Sequence, residues 1–372
     1  MSVQVKDIID LMDAWAPRRL AEKWDNPGLQ VGSSTADVRR VLVSLDLTLA
    51  NIRWAAAHDV QMIVSHHPFF FHGMKCLDLE TERGQMIAQL LASGITAFAA
   101  HTNLDTARGG VNDALAEALG LSDCVGLVPV TEEALCKLVV YVPKSHADAV
   151  REALKAAGAG FIGAYSGCSF VASGTGYFTA EEGTHPFLGS IGAEEAAEEV
   201  RIETCAYEGN IPAAVAAMLA VHPYEEPAYD VYRLAQSAKK EMMGRVGFLP
   251  KEMSGAEAVS YIKEKLGMPV IRFGGDEKKR VRRVAILGGA GAEFADLAKK
   301  AGADLYLTGD VRYHEAQEAA AKGLILVDGG HFYTERVIVP KLAARLRETA
   351  AEKGWALEVV EDPVAADSFS YL

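Results

Sequence analysis

Val60-Gln61-Met62-Ile63-Val64-Ser65-His66-His67-Pro68 reads as a short apolar strand that runs directly into two histidines and a proline. A similar run over residues 41–47 precedes it, separated by a helical pattern over 50–57. Beyond it, a helical pattern over 84–92 leads to a third run, 95–100, and a further helix over 111–119. Short apolar runs alternating with helices predict βαβ units and a largely parallel sheet. The C-terminal third repeats the habit, with runs at 284–287, 305–308 and 324–327 followed by helical patterns over 294–301, 313–321 and 332–347.

The middle of the chain reads differently. A strand over 137–142, a helix over 146–157, two short strands among glycines, a strand over 200–206, a helix over 211–220 and a strand over 228–234 follow in order. That succession resembles the β-α-β-β-α-β of a ferredoxin-like split βαβ, whose halves form a weak internal repeat. The polar stretch 236–241 returns the chain to the first pattern. The expected fold class is therefore α/β: a discontinuous α/β/α layered domain over 1–126 plus 239–372, carrying a ferredoxin-like α+β insert at 127–238.

With 372 residues the chain is long enough for two cores. Its formal charge of −13 weakens any default attraction to phosphate backbones or anionic membranes, which argues against a nucleic-acid partner. Cys76, Cys124, Cys136, Cys168 and Cys205 are odd in number and form no C-x-x-C, so a reducing, cytoplasmic setting is expected. At the N-terminus, Val5, Ile8, Ile9, Met12 and Trp15 fall at helical spacing between acidic residues, an amphipathic helix and not a signal peptide. Residues 156–180 carry no charge but hold six glycines and no sustained aliphatic run, so no membrane span is expected.

Three of the apolar runs end in residues that ligate metals. Residues 60–65 lead to His66-His67, 95–100 to His101-Thr102-Asn103-Leu104-Asp105, and 324–327 through Asp328-Gly329-Gly330 to His331, with Glu335 four positions on. Open α/β sheets bind ligands beyond the carboxyl ends of their strands, which would gather these segments in one crevice. His331 and Glu335, at i and i+4, share a helix face. On an extended backbone His66 and His67 point apart, which suits two neighbouring ions better than one. Glu335, with two oxygens, is the natural bridge in a two-metal hydrolytic site. Singly, each motif has an ordinary structural explanation as a turn, a packing histidine or a solvated pair. Together they account for four of the ten histidines and predict a two-metal site of His66, His67, His101, Asp105, His331 and Glu335. Imidazole and carboxylate donors without thiolate suit two divalent ions drawn from Zn, Fe, Mn, Co or Ni.

These residues, with Trp24-Asp25-Asn26-Pro27-Gly28-Leu29-Gln30-Val31-Gly32, Ser65-His66-His67-Pro68 and Gly330-His331, resemble the GTP cyclohydrolase I type 2 homologue family. It is also called the NGG-interacting-factor-like or dinuclear metal-centre family. The resemblance implies that His66, His67, Asp105, His331 and Glu335 ligate metal, with His101 a ligand or close neighbour. It also implies a homo-oligomer, a hexameric ring. Cys168-Ser169-Phe170, Gly174-Thr175-Gly176 and His222-Pro223-Tyr224-Glu225-Glu226-Pro227-Ala228-Tyr229-Asp230 resemble the PII-like (CutA-like) module of longer bacterial members. Ala164 departs from that module, where an Asn is more usual, so a small ligand bound there would lack one polar contact.

Other residues carry weaker signals. Gly288-Gly289-Ala290-Gly291-Ala292 fits either an anion site at a helix N-terminus or a tight strand-to-helix turn. His314, four residues after Asp310 in a segment that resembles a family motif near the metals, is a candidate acid–base group beside Glu335. Asp25 and Asp46 are candidates for orienting ligating histidines. His222 is expected to be structural. The resulting expectation is a metal-dependent hydrolase of cyclohydrolase or amidohydrolase type, using a metal-bridged water on a small molecule, for which the family name implies a nucleotide. The alternative is a non-catalytic metal-binding regulatory protein whose insert senses a small ligand.

Overall fold

In the computed structural model, which describes residues 3–235 and 239–371, the run that ends in the paired histidines is the strand Met62–Ser65. It lies in a five-stranded sheet ordered Glu358–Glu361, Arg40–Ser44, Met62–Ser65, Thr96–Ala99, Gly28–Val31. The first four are parallel, and Gly28–Val31 closes the edge antiparallel to Thr96–Ala99. Both faces are apolar because helices cover both. Val41, Val43 and Val64 meet the helices Val5–Trp15 and Ile338–Lys353 on one side. Leu42, Ile63 and Ala97 meet Leu49–Ala57 and Glu82–Ala92 on the other. Each aliphatic fully withdrawn from water there contributes about 1.5–3 kcal/mol.

The expected βαβ pattern is present but is divided between two sheets. The second has six strands, ordered Arg272–Gly274, Ile325–Asp328, Leu305–Gly309, Arg280–Ala290, Lys239–Ser254, Ser122–Glu133. Its three central strands are parallel, and Arg272–Gly274 and Lys239–Ser254 add to them antiparallel. Periodicity reports the type of each element, not the sheet it joins. The helix Val111–Ala118 serves both sheets, with Val111 and Ala114 in the core of the first and Leu115 and Ala116 in that of the second. The single helix expected over 332–347 is two, His331–Glu335 and Ile338–Lys353. Pro340 explains the break, because an unbroken helix would need its missing N–H to bond the Arg336 carbonyl.

The chain divides into two compact units, Met1–Val130 with Glu241–Leu372, and Thr131–Lys240. The second unit runs β-α-β-β-α-β, with a four-stranded antiparallel sheet ordered Ser169–Thr179, Glu194–Tyr207, Leu135–Pro143, Tyr229–Arg233. The helices Ala147–Ala156 and Ile211–Leu219 cover one face, over Leu138, Val140, Val142, Val200 and Ile202. This is the ferredoxin-like topology. Of the polar stretch 236–241, residues 236–238 lie outside the described residues. No helix among the described residues is long and apolar enough to cross a membrane.

One buried ion pair ties the shared helix to the second sheet. Arg245, 8% exposed, donates from Nε and Nη2 to Asp113 and from Nη1 to the carbonyls of Met242 and Gly244. Asp113→Ala leaves this guanidinium without its carboxylate and should lower stability by about 2–3 kcal/mol, read from the denaturant midpoint. Arg245→Met should cost less, because the half-buried Asp113 then turns to water.

Candidate metal centre

His66 and His67 follow Met62–Ser65 on a bend, not on extended chain. Both backbone N–H groups donate to the Leu45 carbonyl, at 3.1 and 2.9 Å, and Ser65 Oγ donates to the His67 carbonyl. The side chains therefore do not diverge as an extended backbone would require, and their rings lie 5.0 Å apart. His101 caps the short helix Thr102–Thr106 after the next strand, and that helix carries Asp105. His331 and Glu335 occupy His331–Glu335, at the end of Ile325–Asp328 in the other sheet. All six side chains converge between the two sheets.

Glu335, 3% exposed, stands in the middle. Its Oε2 is 2.8 Å from His67 Nε2 and 3.1 Å from His331 Nε2, while Oε1 is 3.8 Å from His66 Nε2. His66 Nε2 is in turn 3.6 Å from Asp105 Oδ1. Among the described residues, three sets have ligand atoms close enough to share an ion: His66 with His67 and His101, His67 with His331 and Glu335, and His66 with Asp105 and Glu335. Glu335 thus offers one oxygen to each of two sets.

Each imidazole is held by its other nitrogen. Nδ1 of His67, His101 and His331 donates to Asp46, Asp25 and Asp310 at 2.7, 2.8 and 2.7 Å, and Nδ1 of His66 donates to the Ala100 carbonyl at 2.8 Å. That arrangement turns every Nε2 lone pair toward the centre, as carboxylate–histidine pairs do at metal sites. Asp25 is itself pinned by Thr102 and Asn26, whose hydrogen bonds, with that of His101, outweigh burial and keep its carboxyl below the usual range. Asp310 sits at the end of Leu305–Gly309 with φ +55°, a left-handed conformation that aspartate tolerates better than most residues.

Two buried atoms of this cluster, His66 Nε2 and Asp105 Oδ1, have no hydrogen-bond partner. An unpaired nitrogen lone pair facing an unpaired carboxylate oxygen is costly in a protein interior and is satisfied by a cation. The donor set fits a divalent metal on this count. Protons otherwise take that part. Burial opposes charge on His67 and His331, but the hydrogen bonds they donate to Asp46, Asp310 and Glu335 prevail and push them up to about 10 and about 9. Burial and the Glu335 charge raise Asp105. Metal uptake at pH 7 should therefore release protons. Calorimetric heats of Zn²⁺ binding should vary with the ionisation enthalpy of the buffer, and apparent affinity should rise with pH toward 9. Buffer-independent heats would contradict this protonation pattern.

The centre forms the floor of a cavity of about 900 Å³, walled by Trp24, Phe71, Arg83 and Phe294, a size that suits a small molecule. A second cavity, of about 790 Å³, reaches His67 and His331 from the side of Asp310 and Phe369.

The structure brings together His66, His67, His101, Asp105, His331 and Glu335, with Asp25 and Asp46 behind them. His314 lies outside the cluster: its ring is exposed, with Nδ1 3.5 Å from Gln317 Oε1. Asp310, from the same segment, is the residue that reaches the site, and its place after a parallel strand was the available signal. Gly288, Gly289 and Ala290 are the irregular end of the strand Arg280–Ala290, where its pairing with Leu305–Gly309 shifts register, and Gly291 leads into the short 3-10 helix Ala292–Phe294. The Gly288 amide donates to Asn112 Oδ1 and the Gly289 amide to Thr334 Oγ1. A Cβ at Gly289 would lie 2.2 Å from Glu335 Oε1, so glycine is needed there for the carboxylate to fit.

The profile of the Duf34/NIF3 (NGG1p interacting factor 3) family matches residues 3–367. The GTP cyclohydrolase 1 type 2 homolog of Halalkalibacterium halodurans is 42% identical over 365 residues, 98% of each chain. The Bacillus subtilis protein of the same name is 39% identical over 371 residues, covering 100% of this chain and 99% of its own. A Bacillus cereus protein related to NIF3 superposes with a TM-score of 0.86 at 38% identity, over 100% of this chain and 99% of its own. With matches of this extent in sequence and in three dimensions, the chain belongs to the Duf34/NIF3 family.

Proposed function

We propose that this protein is a metal-dependent hydrolase of cyclohydrolase or amidohydrolase type, with two divalent ions held by His66, His67, His101, Asp105, His331 and Glu335. The observation that carries this reading is the pair of orphaned buried atoms, His66 Nε2 and Asp105 Oδ1, beside a carboxylate that offers an oxygen to each of two ligand sets. Paired divalent ions supply Lewis acidity and lower the pKa of water. The chain's own contribution is positioning. Asp25, Asp46, Asp310 and the Ala100 carbonyl lock the imidazoles, and the cavity above holds a small substrate away from bulk solvent.

Metal content by elemental analysis, on protein purified without chelators, comes first. About two transition-metal ions per chain are expected, with less in Asp105→Ala and His331→Ala. Full occupancy in both variants would overturn the ligand assignment. Because the relatives are named for GTP cyclohydrolase, the activity screen begins with GTP and related nucleotides. Hydrolysis should be lost in Glu335→Gln while the fold remains. A second reading, a non-catalytic metal-binding regulator, draws support from the separate cavity in the Thr131–Lys240 unit. It predicts that Glu335→Gln lowers metal content and melting temperature together with no turnover to lose.

A further inference from the structure

The ferredoxin-like unit has a cavity of its own, about 940 Å³, on the sheet face opposite its two helices. Cross-strand register sets its floor. Ala172, Arg201 and Tyr141 form one row, and Gly174 with Glu199 the next. Their neighbours Val140, Val142, Val200 and Ile202 point the other way, into the helix-covered core. The floor is hollow because of glycine: a Cβ at Gly174 would meet no atom within 4 Å, and the place of one at Gly176 is taken by the Glu199 carboxylate.

The His222–Ala228 segment builds a wall. His222 Nε2 donates to the Tyr141 carbonyl at 2.9 Å, and its Nδ1 accepts from the Tyr224 amide at 3.1 Å. That fixes a neutral ring in a structural role and aims Tyr224 inward. Tyr224 Oη then donates to Glu199 Oε1 at 2.8 Å, and its ring stands 5.8 Å from Phe178 and 6.3 Å from Phe187. Glu225 closes the rim by accepting the His185 amide at 2.8 Å.

The cavity is thus aromatic on one side and acidic around it. Glu181, Glu199, Glu225 and Glu226 line it against a single cation, Arg201, which is already paired with Glu203. Four carboxylates against one guanidinium repel phosphates and carboxylates, while aromatic faces and carboxylates together attract organic cations. We propose that this cavity is a binding site for an organic cation with a flat apolar body, such as an arylalkyl amine. The ammonium would lie by Glu199 and the ring against Phe187 and Tyr224. This site does not depend on the metal centre.

The test uses the full-length chain and two probes of like shape and opposite charge, phenethylamine and phenylacetate, followed by saturation-transfer NMR. Phenethylamine should bind and phenylacetate should not. Gly174→Leu fills open space at an extended position and should abolish amine binding. Glu199→Gln keeps an acceptor for Tyr224 and should weaken binding about tenfold, the loss expected of one charge-assisted contact. Metal content should stay at the wild-type value in both. Equal or stronger binding of phenylacetate, no amine signal from folded wild-type protein, or unchanged amine binding in Gly174→Leu would each overturn the proposal.

Discussion

Glu335→Ala should bind metal more than about 100-fold more weakly than the parent, beyond the 10–100-fold typical of losing an orienting partner. The reason is geometric. Two of the three ligand sets contain Glu335, so its removal leaves only His66, His67 and His101 able to share an ion. Asp310→Asn provides the scale. It keeps an acceptor near His331 Nδ1 but removes the charge, and should cost within the 10–100-fold range. Elemental analysis after dialysis and the rise in Tm on adding Zn²⁺ are the measurements, since a ligand that binds only the folded state raises Tm by an amount that grows with the logarithm of its affinity. The Tm rise should be nearly absent in Glu335→Ala and reduced in Asp310→Asn. Equal Tm rises in parent and Glu335→Ala would show that Glu335 is not a ligand. The protonation pattern should change as well. Without the central carboxylate, His67 and His331 lose a hydrogen-bond acceptor that raises them, so their pKa values should fall.

The second large effect is expected from a methyl group. Gly289 has φ +67°, where any other L-residue costs about 1–2 kcal/mol. The added Cβ of Gly289→Ala would also sit 2.2 Å from Glu335 Oε1 and 3.2 Å from His331 Nε2. A carboxylate at the end of a free side chain would swing away cheaply, but this one is gripped by His67 and His331. The substitution should therefore displace Glu335 and cut metal content by half or more, although no ligand is altered. Gly288→Ala is the control. Its nearest neighbours are Val111 Cγ1 at 3.1 Å, and Glu335 Cγ and the Thr334 carbonyl oxygen at 3.3 Å, contacts relieved by shifts of a few tenths of an ångström. Retention of full metal content by Gly289→Ala would mean that Glu335 can move without loss of the site.

The ligand-bearing residues were legible for a simple reason. His66, His101 and His331 each follow a short apolar run, and the end of a parallel strand is where chain direction and helix packing leave a crevice. The i, i+4 spacing of His331 and Glu335 is likewise a local property of a helix. The ferredoxin-like order of the middle segment could be read because its strands and helices differ in period and follow one another in sequence.

What depended on the tertiary structure is what joins distant segments. The division into two sheets arises because the long strands Ser122–Glu133 and Lys239–Ser254 extend one sheet, while Glu358–Glu361 crosses to pair with Arg40–Ser44 in the other. No local pattern records such a pairing. Asp310 matters only because Leu305–Gly309 lies parallel beside Ile325–Asp328 and delivers its carboxylate to His331. His314, one helical turn onward, is carried out to solvent. His66 and His67 converge because both amides bond the Leu45 carbonyl of a neighbouring segment and bend the chain. The sequence by itself determined which side chains could ligate and on which elements they lie, since those are matters of residue type and period. Only the fold decided that they meet around one carboxylate, because that follows from strand order, hydrogen-bonded bends and the space a glycine leaves open.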